Sequence, residues 1–167
     1  MIVAETERLR IREMTLDDAE FVHRLTNDPT FLAGIGDRGV RSVEDARRWL
    51  REGHWIRQEK PGHGQFVVEL RASGEPIGIC GLLYRPPLDV TDIGFALLAE
   101  HHGRGYAIEA ARAVLDYGYR ELGLEKIHGL VSHDNPSSVR VLEKLGLRFE
   151  RRVRMDPEAE EESALYS

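Results

Sequence analysis

A single cysteine, Cys80, among 167 residues excludes an intrachain disulfide and suits a reducing compartment. Inside the apolar stretch 77–84 it reads as a small buried hydrophobe rather than a nucleophile. No apolar run approaches the ~20 residues that a membrane helix needs. The opening MIVAETERLRIRE also lacks the charged start, apolar centre and small-residue cleavage site of a signal peptide. The expectation is a cytoplasmic protein with no membrane partner. Basic residues are outnumbered, 23 Lys and Arg against 29 Asp and Glu, for a net charge of -6 and a pI near 5.7. Without a basic surplus to neutralise phosphates, no nucleic-acid partner is expected. His and Cys show no ligand spacing for zinc and no Gly-x-Ser-x-Gly elbow occurs, so neither a metal nor a serine nucleophile is predicted.

What is present is a balance of 41% hydrophobic and 31% charged residues, which folds. The length suits one domain spanning 1–167. Leu9 and Ile11 alternate with Arg8, Arg10 and Arg12, with Val3 in phase, and predict a first strand over 8–14. Thr15 caps a helix carrying Ala19, Val22 and Leu25, which Asp28-Pro29 ends. Residues 31–41, with Gly34, Gly36 and Gly39, read as a mobile loop bordering the substrate site, until Ser42 caps a helix through Leu50. Strands over 65–70 and 76–84 meet at the turn Ser73-Gly74, and Pro86-Pro87 closes the second. A strand over 92–98, a long helix over 107–122 and a strand over 127–132 form a step expected to be parallel and right-handed. A short helix over 136–145 and strands over 148–154 and 164–166 complete the order β-α-α-β-β-β-α-β-α-β-β, an α+β chain with a mixed sheet. The acidic run 156–162 reads as a solvated loop between the last two strands.

The run HHGRGYAIEA places Gly103 and Gly105 between a strand and a helix start, where unpaired N–H groups and a positive dipole end suit an anion such as a diphosphate, with Arg104 alongside. A plain tight turn has the same glycines. The dinucleotide fingerprint would need glycine at Ile108, and a P-loop would need Gly-Lys-Ser/Thr, so both are excluded.

From His102 to Ala107 the run resembles the acetyl-CoA pyrophosphate loop of the GCN5-related N-acetyltransferase (GNAT) superfamily, Arg/Gln-x-x-Gly-x-Gly/Ala, with His102 at the first position. The form Gly-x-Gly-Tyr-Ala-x-Glu-Ala is similar to the branch of ribosomal-protein N-terminal acetyltransferases. SHDNPSSVRVLEKLGLRFE resembles the family's Asn-x-x-Ser segment, and Asp92-Ile93-Gly94-Phe95-Ala96-Leu97 its Glu-Ile-Gly-Tyr strand. The resemblance implies a central mixed, mostly antiparallel sheet with a parallel splayed strand pair, flanked by helices. It implies acetyl-CoA as co-substrate, with His102, Gly103, Arg104, Gly105, Tyr106 and Ala107 at the pyrophosphate and Phe95, Leu97 and Asn135 near the pantetheine arm. The family pairs into dimers in many members, so a homodimer is compatible with it.

Bland readings stand beside these. Asn135 caps a helix with Pro136 at its first position, Phe95 and Leu97 pack the core, and Glu109 answers the helix dipole. Gly94 within a strand marks a bulge or a close backbone approach. The family's tyrosine acid is replaced by Leu142, so Ser138 is the candidate acid, with local backbone bonding as its alternative. Asp92 is the candidate base, with His133 and Glu69 behind it. Trp49 and Trp55 are either core or acceptor wall. The implied reaction is direct attack of a primary amine, on a small molecule or a protein N-terminus, upon the acetyl thioester. The rivals are a non-catalytic acyl-CoA-binding sensor and a phosphometabolite-binding domain.

Overall fold

The computed structural model describes residues 1–56, 60–131, 135–158 and 160–167. Alternation of Leu9 and Ile11 with arginines yields β2 (Leu9–Glu13), and β1 (Ile2–Glu5) folds back on it antiparallel. The expected first strand is thus the second of a hairpin. β1 is four residues long, too short for its alternation to stand out. Thr15 caps a 3-10 turn leading into α1 (Ala19–Thr26).

Asp28 does end α1, but its carboxylate also accepts from the Thr30 amide (2.9 Å) and starts α2 (Pro29–Gly34). The first four residues of the expected loop 31–41 are therefore helix, because Asp at the cap with Pro at the first position is a start signal as well as a stop. Ser42 accepts from the Asp45 amide (3.0 Å) and opens α3 (Val43–Arg51).

β3 (Gly64–Leu70), β4 (Pro76–Arg85) and β5 (Val90–Leu97) follow as an antiparallel meander. α4 (Tyr106–Arg120) then carries the chain to β6 (His128–Val131), parallel to β5. α5 (Pro136–Lys144), β7 (Phe149–Val153) and β8 (Ser163–Tyr166) complete a sheet ordered β1-β2-β3-β4-β5-β6-β8-β7. The expected parallel step is present.

Side-chain parity divides the core between the two faces of this sheet. Phe66, Val68, Cys80, Leu82, Ile93 and Leu97 pack with Ala111 and Val114 of α4. Their neighbours Val67 and Ile79 point the other way and pack with Val22, Phe31, Ala46 and Leu50 of α1, α2 and α3. Cys80 is fully buried, which pushes its thiol pKa up. Among the described residues no helix is long and apolar enough to cross a membrane.

Candidate active site

Pairing between β5 and β6 covers Asp92 with His128 and Ile93 with Gly129, and then stops. β4 stays with β5 to Leu97, while β6 turns to β8 from Gly129 to Val131. Among the described residues the β6-facing main chain of residues 94–97 has no strand partner, and an extended ligand can pair with such an edge. A cavity of about 790 Å³ opens at this splay. Asp92 and Phe95 of β5, Asn135 and Ser138 of α5, and the aromatic rings of Phe31, Trp49 and Trp55 line it.

Beyond β5 the 102–107 loop leads into α4, which begins without a side-chain cap. Gly103 (φ 77°) and Gly105 (φ 82°) both lie in the left-handed region, which a side chain disfavours. Main-chain N–H groups of residues 103–108 find no backbone acceptor among the described residues, so they and the helix dipole make an anion site. That arrangement fits a diphosphate. His102 differs: its amide donates to the Ala99 carbonyl (3.1 Å) and its Nε2 to the Leu97 carbonyl (2.9 Å), so it braces the loop.

Three residues from β1–β2 and α4 complete the brace. Arg8 donates through Nη1 to the Arg104 carbonyl (2.9 Å) and through Nε to Glu109 (2.7 Å), and its guanidinium lies 4.4 Å from the Tyr106 ring centroid. Thr6 also donates to Glu109. Burial alone would raise the Glu109 carboxyl, but the hydrogen bonds from Thr6 and Arg8 outweigh it and hold the pKa below its ordinary value. Glu109 is thus tied to named partners as well as to the dipole. Arg8 reads in the sequence only as the polar phase of a strand; nothing local signals a partner 101 positions away.

Asp92 is 2% exposed, with Arg85 Nε 2.6 Å from its Oδ1. Burial pushes its carboxyl pKa up, against the opposing pull of Arg85. Asn135 caps α5, accepting from the Ser138 amide (3.3 Å), and a Cβ at Gly34 would come within 3.1 Å of Asn135 Nδ2. Ser138 is half-buried on the cavity wall, and its hydroxyl donates to no acceptor among the described residues. Leu142, 2% exposed, packs beneath Gly129, where a Cβ would meet its Cδ1 at 2.7 Å.

The structure therefore gathers Asp92, Phe95, Asn135 and Ser138 around one cavity. Leu97 does not line it: its side chain is core, on the α4 face. Glu69 is also elsewhere, held by Arg12 (3.0 Å) and Arg10 (3.5 Å) of β2. His133 lies outside the described residues. Gly94 pairs with Gly81 without a bulge, and what approaches it is a side chain, since a Cβ there would sit 2.8 Å from Gln65 Nε2. Gln65 went unnoticed in the sequence because only strand register brings it to the splay.

Free amides at a helix start, a splayed parallel pair and a carboxylate and hydroxyl over the gap define the class of acyl-carrier-dependent transferases. The chain belongs to the GNAT acetyltransferase family: residues 8–148 match the Acetyltransferase (GNAT) domain. It is 34% identical over 157 residues to the uncharacterized protein YkkB of Bacillus subtilis (strain 168), covering 89% of this chain and 87% of that one. The crystal structure of a GNAT-family acetyltransferase from Bacillus anthracis superposes with a TM-score of 0.78 at 27% identity, covering 99% and 96% of the two chains. RimL, a ribosomal L7/L12 alpha-N-protein acetyltransferase in complex with coenzyme A, superposes with a TM-score of 0.81 over 99% and 96%; at 16% identity this is a likeness of fold. The expected α+β fold and family are borne out, and the protein is an N-acetyltransferase.

Proposed function

We propose that this enzyme moves the acetyl group of acetyl-CoA to a primary amine by direct attack in a ternary complex. The observation that carries this reading is the single cavity in which the unpartnered edge of β5 meets Asp92 and Ser138. Bound acetyl-CoA supplies an activated thioester. The amides of residues 103–107 would hold its diphosphate, and the β5 edge beside Phe95 its extended arm. Asp92 accepts the proton that the attacking nitrogen loses as the C–N bond forms. Ser138 gives a proton to the sulfur as the C–S bond breaks, and regains one from solvent. The Ser138 hydroxyl, with no acceptor among the described residues, supports this over a sensor that binds acyl-CoA without turnover.

The test is thiol release from acetyl-CoA over a panel of amines. Asp92→Asn and Ser138→Ala should each lower kcat, by about 10²–10⁴-fold for the base, while binding of CoA persists. Because burial raises the Asp92 pKa, the acid limb of kcat/KM should lie above the ordinary carboxylate value of 3.8 and flatten in Asp92→Asn. Wild-type turnover in both variants would refute these roles.

A further inference from the structure

Away from the cavity, Glu75, Glu100 and His101 each bring one ligand atom to within 4.8 Å of the others. Glu75 lies in the turn between β3 and β4, where its carbonyl accepts from the Leu70 amide (2.9 Å). Glu100 and His101 end the 3-10 turn Ala99–His101, between β5 and the 102–107 loop. His101 is 8% exposed, and neither of its ring nitrogens has a hydrogen-bond partner among the described residues. A buried imidazole left unbonded is costly unless a ligand satisfies it. Its Nε2 faces both glutamates, 3.7 Å from Glu75 Oε1 and 3.9 Å from Glu100 Oε1.

Those separations are too long for hydrogen bonds and close to what a shared cation requires. Ligand atoms each about 2.1 Å from a tetrahedral zinc ion stand roughly 3.4 Å apart, so the gaps need close by only a few tenths of an ångström. The glutamates can supply this movement, because both side chains are about half exposed. Nε2 itself is closed to water, so the ion enters from the solvent side as the carboxylates swing out and back, and no channel is needed. Arg24 also bonds Glu100, through a side chain that is itself exposed, and shares or yields that carboxylate when the ion binds. The competing account is a plain ion pair between an imidazolium and the two acids.

We propose that His101, Glu75 and Glu100 form a site for a zinc ion, with water completing its coordination. One imidazole and two carboxylates suit zinc better than magnesium or calcium, which take oxygen ligands. His101 Nδ1 has no acceptor to brace it among the described residues, which makes the site an exchangeable one rather than a structural one. Bound there, the ion ties the β3–β4 turn to the turn from which the 102–107 loop departs. His102, next in the chain, already braces that loop through the Leu97 carbonyl (2.9 Å). None of the three ligands lines the cavity, so the site stands or falls apart from the acetyl-transfer reading. Spacing along the chain hides it, because Glu75 is distant in sequence from the other two.

The experiment titrates the chain, freed of metal with a chelator, with zinc chloride in a calorimeter, alone and in excess magnesium. One zinc ion per chain should bind, and magnesium should not compete. His101→Gln and Glu75→Gln should each weaken zinc binding by at least the roughly 10- to 100-fold that loss of an outer partner costs. A wild-type circular dichroism spectrum checks that each variant folds, and Glu75, being exposed, keeps the test open if His101→Gln does not. His54→Gln alters an exposed histidine beside Glu52 (3.7 Å) and should bind zinc as the wild type does. No zinc binding by the wild type, equal affinity in His101→Gln and Glu75→Gln, or loss of binding in His54→Gln would overturn the inference and leave an ion pair only.

Discussion

Glu109 shows how a single side chain can matter to a cofactor site without touching it. Its carboxylate accepts from the Arg8 amide (3.1 Å) and from Arg8 Nε (2.7 Å), and Arg8 in turn holds the Arg104 carbonyl. Hydrogen bonds to a charged group contribute about 1.5–3 kcal/mol, so Glu109→Gln should cost roughly that much stability at neutral pH. The sign of the pH dependence follows from the depressed pKa. The native state binds the carboxylate's proton less readily than the unfolded chain, so the contribution is present above the ordinary value of 4.5 and lost as pH falls through the folded pKa. Urea unfolding of wild type and Glu109→Gln should therefore diverge at pH 7 and converge in acid. A constant gap across that range would contradict this account.

The start of α4 was legible as an anion site because glycines, a strand before and a helix after are local signals. Both glycines adopt positive φ, and neither is forced by crowding: a Cβ at Gly103 would meet nothing within 4 Å, and one at Gly105 only Arg8 Nη2 at 3.4 Å. Gly105→Ala should then cost about 1–2 kcal/mol of backbone strain and weaken CoA binding, measured by titration calorimetry; unaltered affinity would show that the loop tolerates another conformation. α2 was less legible, since Asp28-Pro29 carries opposite meanings for the helices on either side of it. Asn135 and Ser138 could be placed from the cap they share, whereas the Arg8 brace and the approach of Gln65 to Gly94 required strand register. Leu97 could not be assigned to core or cavity from alternation alone, because the last residues of β5 have a strand on one side only.

In the molecule as a whole, one sheet separates two packed layers, and the cavity lies where that sheet opens. A ligand that binds only the folded state stabilises it by mass action, about 2.7 kcal/mol at 100 times Kd. CoA at that concentration should raise Tm by roughly 5–11 °C for a chain of this size, and a shift near zero would argue against the loop as its site. The layering has a further consequence. Phe31, Ile35, Trp49 and Trp55 line the cavity and pack with the core of α1, α2 and α3. The loop at 102–107 is anchored by Arg8, just before β2, and leads into α4, on the opposite layer. On the function proposed above, acceptor choice and cofactor capture fall to different layers. Exchange of the stretch 29–55 for that of a relative should then change the preferred acceptor and leave CoA affinity unaltered by titration calorimetry.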